Sequence, residues 1–344
     1  MSIWKYYVKS VNHSAIMPRF SIIVPIYNRP DEADELLKSL AEQSSKDFEL
    51  VLVEDGSVWP SVDAVNRYKD RIVINYISKT NTGRSDTRNK GMQNAKGNYF
   101  VFFDSDCIIP SDYFEVLEKY LADDYADCFG GPDSAHESFS DTQKAINYAM
   151  TSFLTTGGIR GGKVNMEKFV PRTFNMGFSR TVYETVGGYN KDIDYGEDMD
   201  ISARIRKSGF SIKLYHNAFV YHKRRVCFKK FYKQVYTFGG SRISTIYKLY
   251  PDTLKLVHFL PTTFTLGSIF FVLLSFVFCS AWFLLPLGLY TILLFTDSLF
   301  KNKSLKIAAL SIVAGYIQLF GYGLGFLKAL VKYLSYAKNK LVDI

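Results

Sequence analysis

The sequence is poor in cysteine, and its four cysteines lie far apart in the chain: Cys107, Cys128, Cys227 and Cys279. No Cys-x-x-Cys pair occurs among them, which argues against a disulfide scaffold and against a structural zinc site. This usage suits a reducing compartment. The first 20 residues also lack an apolar run long enough for a secretory signal, so we expect none.

Acidic residues are almost absent from the segment that precedes the longest apolar tract. Residues 201–255 carry 13 Lys and Arg but a single acid, Asp252, whereas residues 1–200 carry 22 Lys and Arg against 30 Asp and Glu. A nucleic-acid-binding protein would spread its basic charge over the folded domain. A basic segment beside an apolar tract is typical of the cytoplasmic flank of a membrane region. The pattern therefore predicts membrane lipids as partners and no nucleic acid.

The apolar tract contains no Asp, Glu, Lys or Arg over 41 residues, from 256 to 296. Because a membrane-spanning helix needs about 20 apolar residues, the tract predicts two helices joined by a tight turn near Ser280 or Pro286. A third uncharged stretch covers residues 307–327. As a third span it would place Lys328 and Lys332 outside, against the positive-inside rule. Two alternatives therefore stay open for this stretch, a third span or a re-entrant or interfacial segment.

Upstream of this tract, strand and helix patterns alternate. Short apolar runs such as Phe20–Tyr27 and Tyr99–Phe103 are separated by amphipathic segments, which predicts an α/β fold with a mostly parallel sheet and helices on both faces. Ligands bind such sheets at the carboxyl ends of the strands. We expect an N-terminal extension over 1–19, the α/β domain over 20–227, a basic amphipathic interfacial helix over 228–255, a membrane region with two to three helices over 256–330 and a basic tail over 331–344.

Polar motifs follow three of the predicted strands: Pro25–Asn28, Glu54–Ser57 and Asp104–Asp106. Two carboxylates at a strand end can turn toward one site, where they repel each other unless a cation neutralises them. Oxygen ligands in a partly open site suit Mg²⁺ or Mn²⁺, with a substrate diphosphate completing the coordination. A later acidic run, Glu197–Asp200, opens a predicted helix, where acids also occur for dipole reasons alone.

Together these motifs resemble the family 2 glycosyltransferases, which have the GT-A fold. The resemblance covers about residues 20–245 and rests on six motifs in order: Val24–Asn28, Glu54–Ser57, Asn81–Gly83 with Arg88–Gly91, Asp104–Asp106, Gly187–Tyr189, and Glu197–Asp200 with Arg204. One departure is Glu54, where the family usually has Asp, and the longer side chain would shift the base pocket slightly.

The resemblance implies a role for each matching residue. It implies a nucleotide-sugar site formed by Pro25, Tyr27, Asn28, Glu54, Asp55, Arg88 and Asp104. Asp55 would accept a hydrogen bond from the base, and Asp104 would face the ribose or the metal. Asp106 would bind the metal that bridges the diphosphate. Asp198 would be the catalytic base and Glu197 would help to place the acceptor. Arg88, as a helix residue, fits a solvated surface as well as a nucleotide contact.

A second pattern, Tyr221–Arg225 followed by Phe238–Arg242, resembles the branch of the family that builds bacterial exopolysaccharides and carries C-terminal membrane helices. This resemblance implies that His222 and Arg225 contact the donor diphosphate, or that His222 ligates the metal. The alternative for the basic helix is docking on anionic lipid heads. The glycine-rich stretch 155–163 fits either a lid that orders over the donor or a plain flexible loop.

These observations predict a metal-dependent, inverting glycosyltransferase anchored in the bacterial inner membrane, with its catalytic domain in the cytoplasm. The expected cofactor is Mn²⁺ or Mg²⁺, the donor is a nucleoside-diphosphate sugar with UDP favoured by family habit, and the acceptor is a glycan or a polyprenyl-linked glycan of the cell envelope. Three alternatives remain: a sugar-phosphate nucleotidyltransferase of related fold, a non-catalytic nucleotide-sugar-binding scaffold, and a processive synthase. The last usually shows Gln-x-x-Arg-Trp, whereas Val-Tyr-Thr follows Gln234 here.

Overall fold

The computed structural model describes residues 18–157, 169–193 and 195–342, with side chains as far as residue 336. The chain forms two compact units. One comprises Met1–Ser134 and Phe169–His222, and the other Ala135–Lys168 and Lys223–Ile344. The chain thus leaves the first unit at Ser134 and returns at Phe169, an excursion that the expected domain of residues 20–227 did not separate.

The regular elements of both units follow in chain order. The strands are β1 (Phe20–Ile26), β2 (Phe48–Asp55), β3 (Val73–Lys79), β4 (Tyr99–Phe102), β5 (Cys107–Ile108), β6 (Cys128–Gly130), β7 (Asp133–Ser134), β8 (Met176–Ser179), β9 (Ile212–Leu214) and β10 (Val220–His222). The helices are α1 (Pro30–Ala41), α2 (Val62–Tyr68), α3 (Arg84–Asn94), α4 (Tyr113–Asp123), α5 (Asp141–Thr151), α6 (Phe153–Thr156), α7 (Arg180–Val186), α8 (Glu197–Lys207), α9 (Phe228–Ser241), α10 (Leu260–Val277), α11 (Leu285–Asn302) and α12 (Leu305–Val342).

The first unit is built on a seven-stranded sheet in the order β3-β2-β1-β4-β8-β6-β9. Strands β1 to β4 are mutually parallel, as is the pair β6 and β9, and only β8 runs antiparallel to its neighbours. The predicted α/β fold with a mostly parallel sheet is confirmed. A second sheet of three strands, β5-β10-β7, was not anticipated.

The central strands are apolar on both faces because each face carries its own core. In β1, Ile22 and Val24 lie in one cluster, whereas Ile23 packs with Val51 and Phe100 in a cluster on the other face. Both clusters are buried, as is usual for parallel strands covered by helices on both sides. This two-sided burial leaves the strand ends as the places where polar side chains can meet.

Helix α1 shows why the connecting segments are helical. Pro30 occupies its first turn, where its missing N–H costs nothing. Ala33, Leu36, Leu37 and Leu40 follow at helical spacing, and all four are buried against the sheet. The acidic first turn and the basic last turn complement the helix dipole.

The second unit contains three helices that are long and apolar enough to cross a membrane, over Leu256–Val277, Ala281–Asn302 and Leu305–Tyr336. The predicted turn near Ser280 is found between the first two. The third stretch is one unbroken helix, so it has no re-entrant break. The predicted interfacial helix 228–255 is helical as α9 and continues in a π-helical turn, Arg242–Tyr247.

Glycines allow α9 and α12 to approach each other closely. A Cβ on Gly239 would overlap the carbonyl oxygen of Tyr322, and one on Gly325 would overlap the carbonyl oxygen of Tyr236. The neighbouring Gly240 is less restricted, because its Cβ would lie 3.6 Å from the nearest atom, the carbonyl oxygen of Gly325. The crossing therefore depends on Gly239 and not on Gly240.

We expect Gly239→Ala to destabilise the protein by about 1–3 kcal/mol, the usual cost of overpacking. Gly240→Ala is the matched control and should be neutral or slightly stabilising, because alanine favours helix. Thermal unfolding in detergent measures both. Equal midpoints for the two variants would contradict the crossing.

Candidate functional site

The carboxyl ends of three neighbouring strands meet at one edge of the large sheet. Strands β2, β1 and β4 are adjacent and parallel. Asp55 ends β2, and Asn28 and Asp104 lie in the segments that follow β1 and β4, so the fold brings together the three strand-end motifs that the sequence singled out. This edge is where α/β sheets bind ligands.

The Asp55 carboxylate is nearly buried, with 4% of the residue exposed. It accepts backbone N–H groups from Thr82 at 3.0 Å and Gly83 at 3.1 Å, and it contacts the ammonium of Lys79. Asp55 therefore fixes the loop that leads from β3 into α3. Its implied contact with the base stays a prediction.

Glu54, the departure from the family pattern, lies inside the protein with 1% of the residue exposed. Its carboxylate accepts the backbone N–H of Ser61 at 2.9 Å and the hydroxyl of Tyr76 at 3.1 Å, and it also contacts the Ser57 hydroxyl. Burial, with Glu54 beside it, raises the pKa of Tyr76. The longer side chain thus anchors the segment after β2.

Asn28 joins the loops that follow β1 and β2. It has a positive φ of 54°, which asparagine tolerates better than most residues. Its Oδ1 accepts the N–H of Val58 at 2.7 Å, and its own N–H donates to Ser57 Oγ at 2.7 Å. Tyr27 beside it is 51% exposed, and Pro25 lies within β1 opposite Val53.

Arg88 is buried, and its guanidinium bridges two carboxylates. Its side chain is 2% exposed, with Nη2 at 2.7 Å from Asp104 Oδ1 and Nη1 at 3.2 Å from Glu197 Oε1. Burial alone would lower the pKa of Arg88, but the charges of Asp104 and Glu197 outweigh it and raise the pKa. The solvated-surface alternative for Arg88 is therefore wrong.

Glu197 and Asp198 begin α8 and face different arginines. Burial raises the pKa of Glu197, although Arg84, with Nε at 3.1 Å, and Arg88 act to lower it. Asp198 Oδ2 lies 3.2 Å from Nη1 of Arg172. Arg172 was not singled out from the sequence, since no motif surrounds it. Dipole complementarity alone does not account for these acids, because each pairs with an arginine distant in sequence.

The small sheet brings Asp106 next to His222. Strand β10 pairs with β5 so that His222 lies opposite Cys107, and His222 Nε2 is 3.2 Å from Asp106 Oδ1. Arg29 Nη1 is 3.4 Å from the other oxygen, Asp106 Oδ2. Possible metal-ligating atoms of Asp106, Cys107 and His222 all lie within 4.8 Å of one another.

The donor set of this cluster fits Mn²⁺ or Mg²⁺. Asp106 offers a carboxylate oxygen and His222 an imidazole nitrogen, a combination that suits Mn²⁺ and leaves positions for a substrate. Cys107 is a poor ligand, because its thiol points at the Phe174 carbonyl oxygen at 3.6 Å and burial raises its pKa. Among the described residues, Asp104 lies outside this group and contacts Arg88 instead.

Two predicted features, Arg225 and the lid, are not part of the site contacts described above. Arg225 belongs to the second unit, between β10 and α9, and its donor contact stays a prediction. Most of the predicted lid, residues 158–163, lies outside the described residues.

The comparisons with known proteins agree with this arrangement of strand-end motifs. Residues 21–187 match the sequence model named Glycosyl transferase family 2. This segment of the chain belongs to that family. The match extends from β1 to the end of α7 and includes Asp55, Arg88, Asp104 and Asp106.

The relatives match over parts of the chain. Glycosyltransferase GlyA of Streptococcus pneumoniae is 38% identical over 112 residues, which cover 32% of this chain and 16% of that protein. The glycosyltransferase EpsJ of Bacillus subtilis is 26% identical over 205 residues, covering 58% of this chain and 59% of that protein. The chain spans less than half of the length of the first curated relatives that it matches.

A solved structure shares the fold. The mannosyltransferase from Pyrobaculum calidifontis, determined in complex with GDP-Man and Mn²⁺, superposes with a TM-score of 0.56 at 17% identity and covers 92% of this chain and 88% of that one. The family 2 domain described here therefore has a GT-A-like fold, with three long apolar helices C-terminal to it.

We expect Arg88→Met to destabilise the protein by about 3–5 kcal/mol, because it removes the buried cation that Glu197 shares with Asp104 and leaves the buried Glu197 carboxylate beside the more exposed Arg84. Arg84→Met is the matched control. Arg84 also contacts Glu197, but its side chain is 43% exposed, so its loss should cost about 0–1 kcal/mol. Denaturant unfolding in detergent compares the two, and a cost for Arg84→Met as large as that for Arg88→Met would contradict the bridging role.

Proposed function

We propose that this chain is a metal-dependent, inverting glycosyltransferase that moves a sugar from a nucleoside-diphosphate donor to a glycan or polyprenyl-linked acceptor of the bacterial cell envelope. One observation carries the proposal. The Asp106–His222 pair lies after β4, at the edge of the sheet where the family 2 strand-end motifs meet. The mannosyltransferase of similar fold was solved with GDP-Man and Mn²⁺, which supports a nucleotide sugar and a divalent cation for this chain too.

In the proposed reaction, the site residues have separate roles. Asp198 is the general base and takes the proton of the acceptor hydroxyl. The acceptor oxygen then attacks the anomeric carbon from the face opposite the diphosphate, and the bond from that carbon to the diphosphate oxygen breaks with inversion. Asp106 and His222 would hold the cation, which supplies charge neutralisation for the departing diphosphate when bound. Arg29, beside Asp106, adds a protein cation on the same side.

Arg172 keeps the general base in place. Its guanidinium holds Asp198 Oδ2, while Asp198 Oδ1 accepts the backbone N–H of Met199 at 2.8 Å. Both carboxylate oxygens are thus oriented before substrate binds, which is the preorganisation that general-base catalysis needs.

The first experiment measures cleavage and transfer of a panel of sugar nucleotides by purified protein, with Mn²⁺, with Mg²⁺ and with chelator. We expect one donor to be used in a metal-dependent way, with UDP as the expected carrier. Asp198→Asn should reduce turnover by about 10²–10⁴-fold, and Asp106→Ala should abolish the response to metal. Asp63→Asn, on the exposed face of α2, is the control and should turn over normally.

Full activity with chelator would contradict metal dependence, and full activity of Asp198→Asn would contradict its role as base. Adding a polyprenyl-linked acceptor separates the two acceptor classes. Transfer to soluble sugars alone would overturn the lipid-linked acceptor.

The charge pattern of the second unit supports a membrane orientation for the proposal. Helices α10 and α11 would form a hairpin whose inner ends are marked by Lys255 and Lys301 and whose turn holds the exposed Cys279. The positive-inside rule then puts the basic ends, and the family 2 domain before them, in the cytoplasm.

One contact of α12 indicates the side of the membrane on which its C-terminal half lies. Gly323 is about 27 Å along α12 from its start at Leu305, at 1.5 Å per residue. If α12 crossed the bilayer, Gly323 would face the outer end of the hairpin. Instead Thr262 Oγ1, near the inner end of α10, donates to the Gly323 carbonyl at 3.2 Å. We infer that the C-terminal half of α12 ends on the cytoplasmic side, beside the inner end of α10, which also keeps Lys328 and Lys332 there.

A membrane-impermeant maleimide tests this topology in intact spheroplasts. Cys279 should be labelled from outside, because it lies in the hairpin turn. In a Cys279→Ser background, Tyr336→Cys near the end of α12 and the control Lys303→Cys should react only after permeabilisation. Labelling of Tyr336→Cys from outside would instead indicate a third span, and outside labelling of Lys303→Cys would reverse the proposed orientation.

A further inference from the structure

Asp133 is a buried carboxylate that no sequence motif singled out. Its side chain is 1% exposed, and it begins β7, a strand of only two residues. Strand β10 runs between β5 and β7, pairing Val220 with Asp133 on one side and His222 with Cys107 on the other. The small sheet therefore places Asp133 and Asp106 on either side of the same imidazole.

The His222 ring is restrained from three directions. Its Nε2 lies 3.2 Å from Asp106 Oδ1, and its Nδ1 lies 3.6 Å from Asp133 Oδ2. Its face stacks on Phe174, with ring centroids 4.5 Å apart and planes inclined by 27°. The two ring nitrogens point away from each other, so a cation on the Nε2 side with Asp106 is beyond the reach of Asp133.

We propose that Asp133 is a positioning residue for His222: its carboxylate accepts the Nδ1 proton and so presents the Nε2 lone pair toward Asp106. This proposal rests on the proposed function, because it requires that Asp106 and His222 bind a divalent cation. At 3.6 Å the contact is longer than a hydrogen bond, and a small rotation of the ring on Phe174 would close it. A carboxylate behind a metal-binding histidine fixes the tautomer and makes the imidazole a stronger ligand.

The chemistry of the buried site supports this role. A carboxylate removed from water needs a hydrogen-bond donor or a cation beside it, and the Nδ1–H of His222 is such a donor. In the opposite tautomer, Nδ1 would present a lone pair to Asp133 and the Nε2 proton would point toward Asp106. That tautomer places two acceptors face to face at Asp133 and blocks the ligand nitrogen, whereas in the proposed tautomer the cation would lie between the Nε2 lone pair and the Asp106 carboxylate.

Mn²⁺ binding to the full-length protein in detergent tests the proposal independently of turnover. The electron paramagnetic resonance signal of free Mn²⁺, titrated without nucleotide, gives the affinity. We expect Asp133→Ala to weaken Mn²⁺ binding by about 10–100-fold, the usual effect of removing such a partner. Asp133→Asn should restore most of the affinity, because its side-chain oxygen still accepts the Nδ1 proton.

The matched control is Asp127→Ala. Asp127 is also an acid of the first unit with a structural partner, accepting the N–H of Ser211 at 2.9 Å and its hydroxyl at 2.7 Å. The Asp127→Ala substitution should lower the unfolding midpoint of the protein without changing its Mn²⁺ affinity. In a double-mutant cycle, Asp133→Ala should have little further effect once His222→Ala is present.

Three outcomes would overturn the proposal. If Asp133→Ala bound Mn²⁺ with wild-type affinity, Asp133 would have no positioning role. If Asp127→Ala lost as much Mn²⁺ affinity as Asp133→Ala, the loss would indicate general destabilisation instead of a specific role. Absence of Mn²⁺ binding in the wild type would overturn the metal dependence on which the proposal rests. The first two leave the proposed glycosyl transfer intact, so the two failures are distinguishable.

Discussion

Arg88 carries a positive charge into the interior of the first unit, and the arrangement of the site depends on that charge. A buried guanidinium is stable only when acids surround it, and here Asp104 and Glu197 do so from two distant parts of the chain. Asp104 follows β4, and Glu197 opens α8. The arginine therefore fixes the strand end that carries the aspartate motif relative to the helix that carries the proposed base.

Three other acids of this region each pair with one arginine. Asp106 has Arg29, Asp198 has Arg172, and Asp200 has Arg204 at 2.7 Å. This pairing of acids with arginines changes the conclusion drawn from the sequence, that two neighbouring carboxylates repel each other unless a bound cation neutralises them. Two neighbouring carboxylates need not share a metal ion when the protein supplies a cation for one of them. Because Arg88 already neutralises the charge of Asp104, we place the proposed divalent cation at Asp106 and His222.

The sequence was sufficient for features whose signal is local. Continuous apolar runs predicted β1, β2 and β4, and the polar residues after them predicted the ligand edge of the sheet. Features that depend on distant partners could not be found in this way. Strand β7 has two residues and no periodicity, so Asp133 gave no signal until β10 paired with it. Arg88 and Arg172 are ordinary arginines until folding brings carboxylates beside them.

The place of α5 in the second unit could not be predicted from the sequence for the same reason, because its packing partners are distant in the chain. Helix α5 looks like one more amphipathic helix of an α/β domain, but its apolar residues Ile146 and Met150 pack with Phe231 of α9 and Ala314 of α12. Asp297, directly after the apolar tract, adds a polar contact, because the Tyr148 hydroxyl donates to it at 2.6 Å and Lys301 pairs with it at 2.8 Å. Asp297 lies one turn before Lys301, at the proposed cytoplasmic end of α11, where a charge can stay hydrated. Helix α5 is therefore held in the second unit by α9, α11 and α12, although it has no membrane-spanning character of its own.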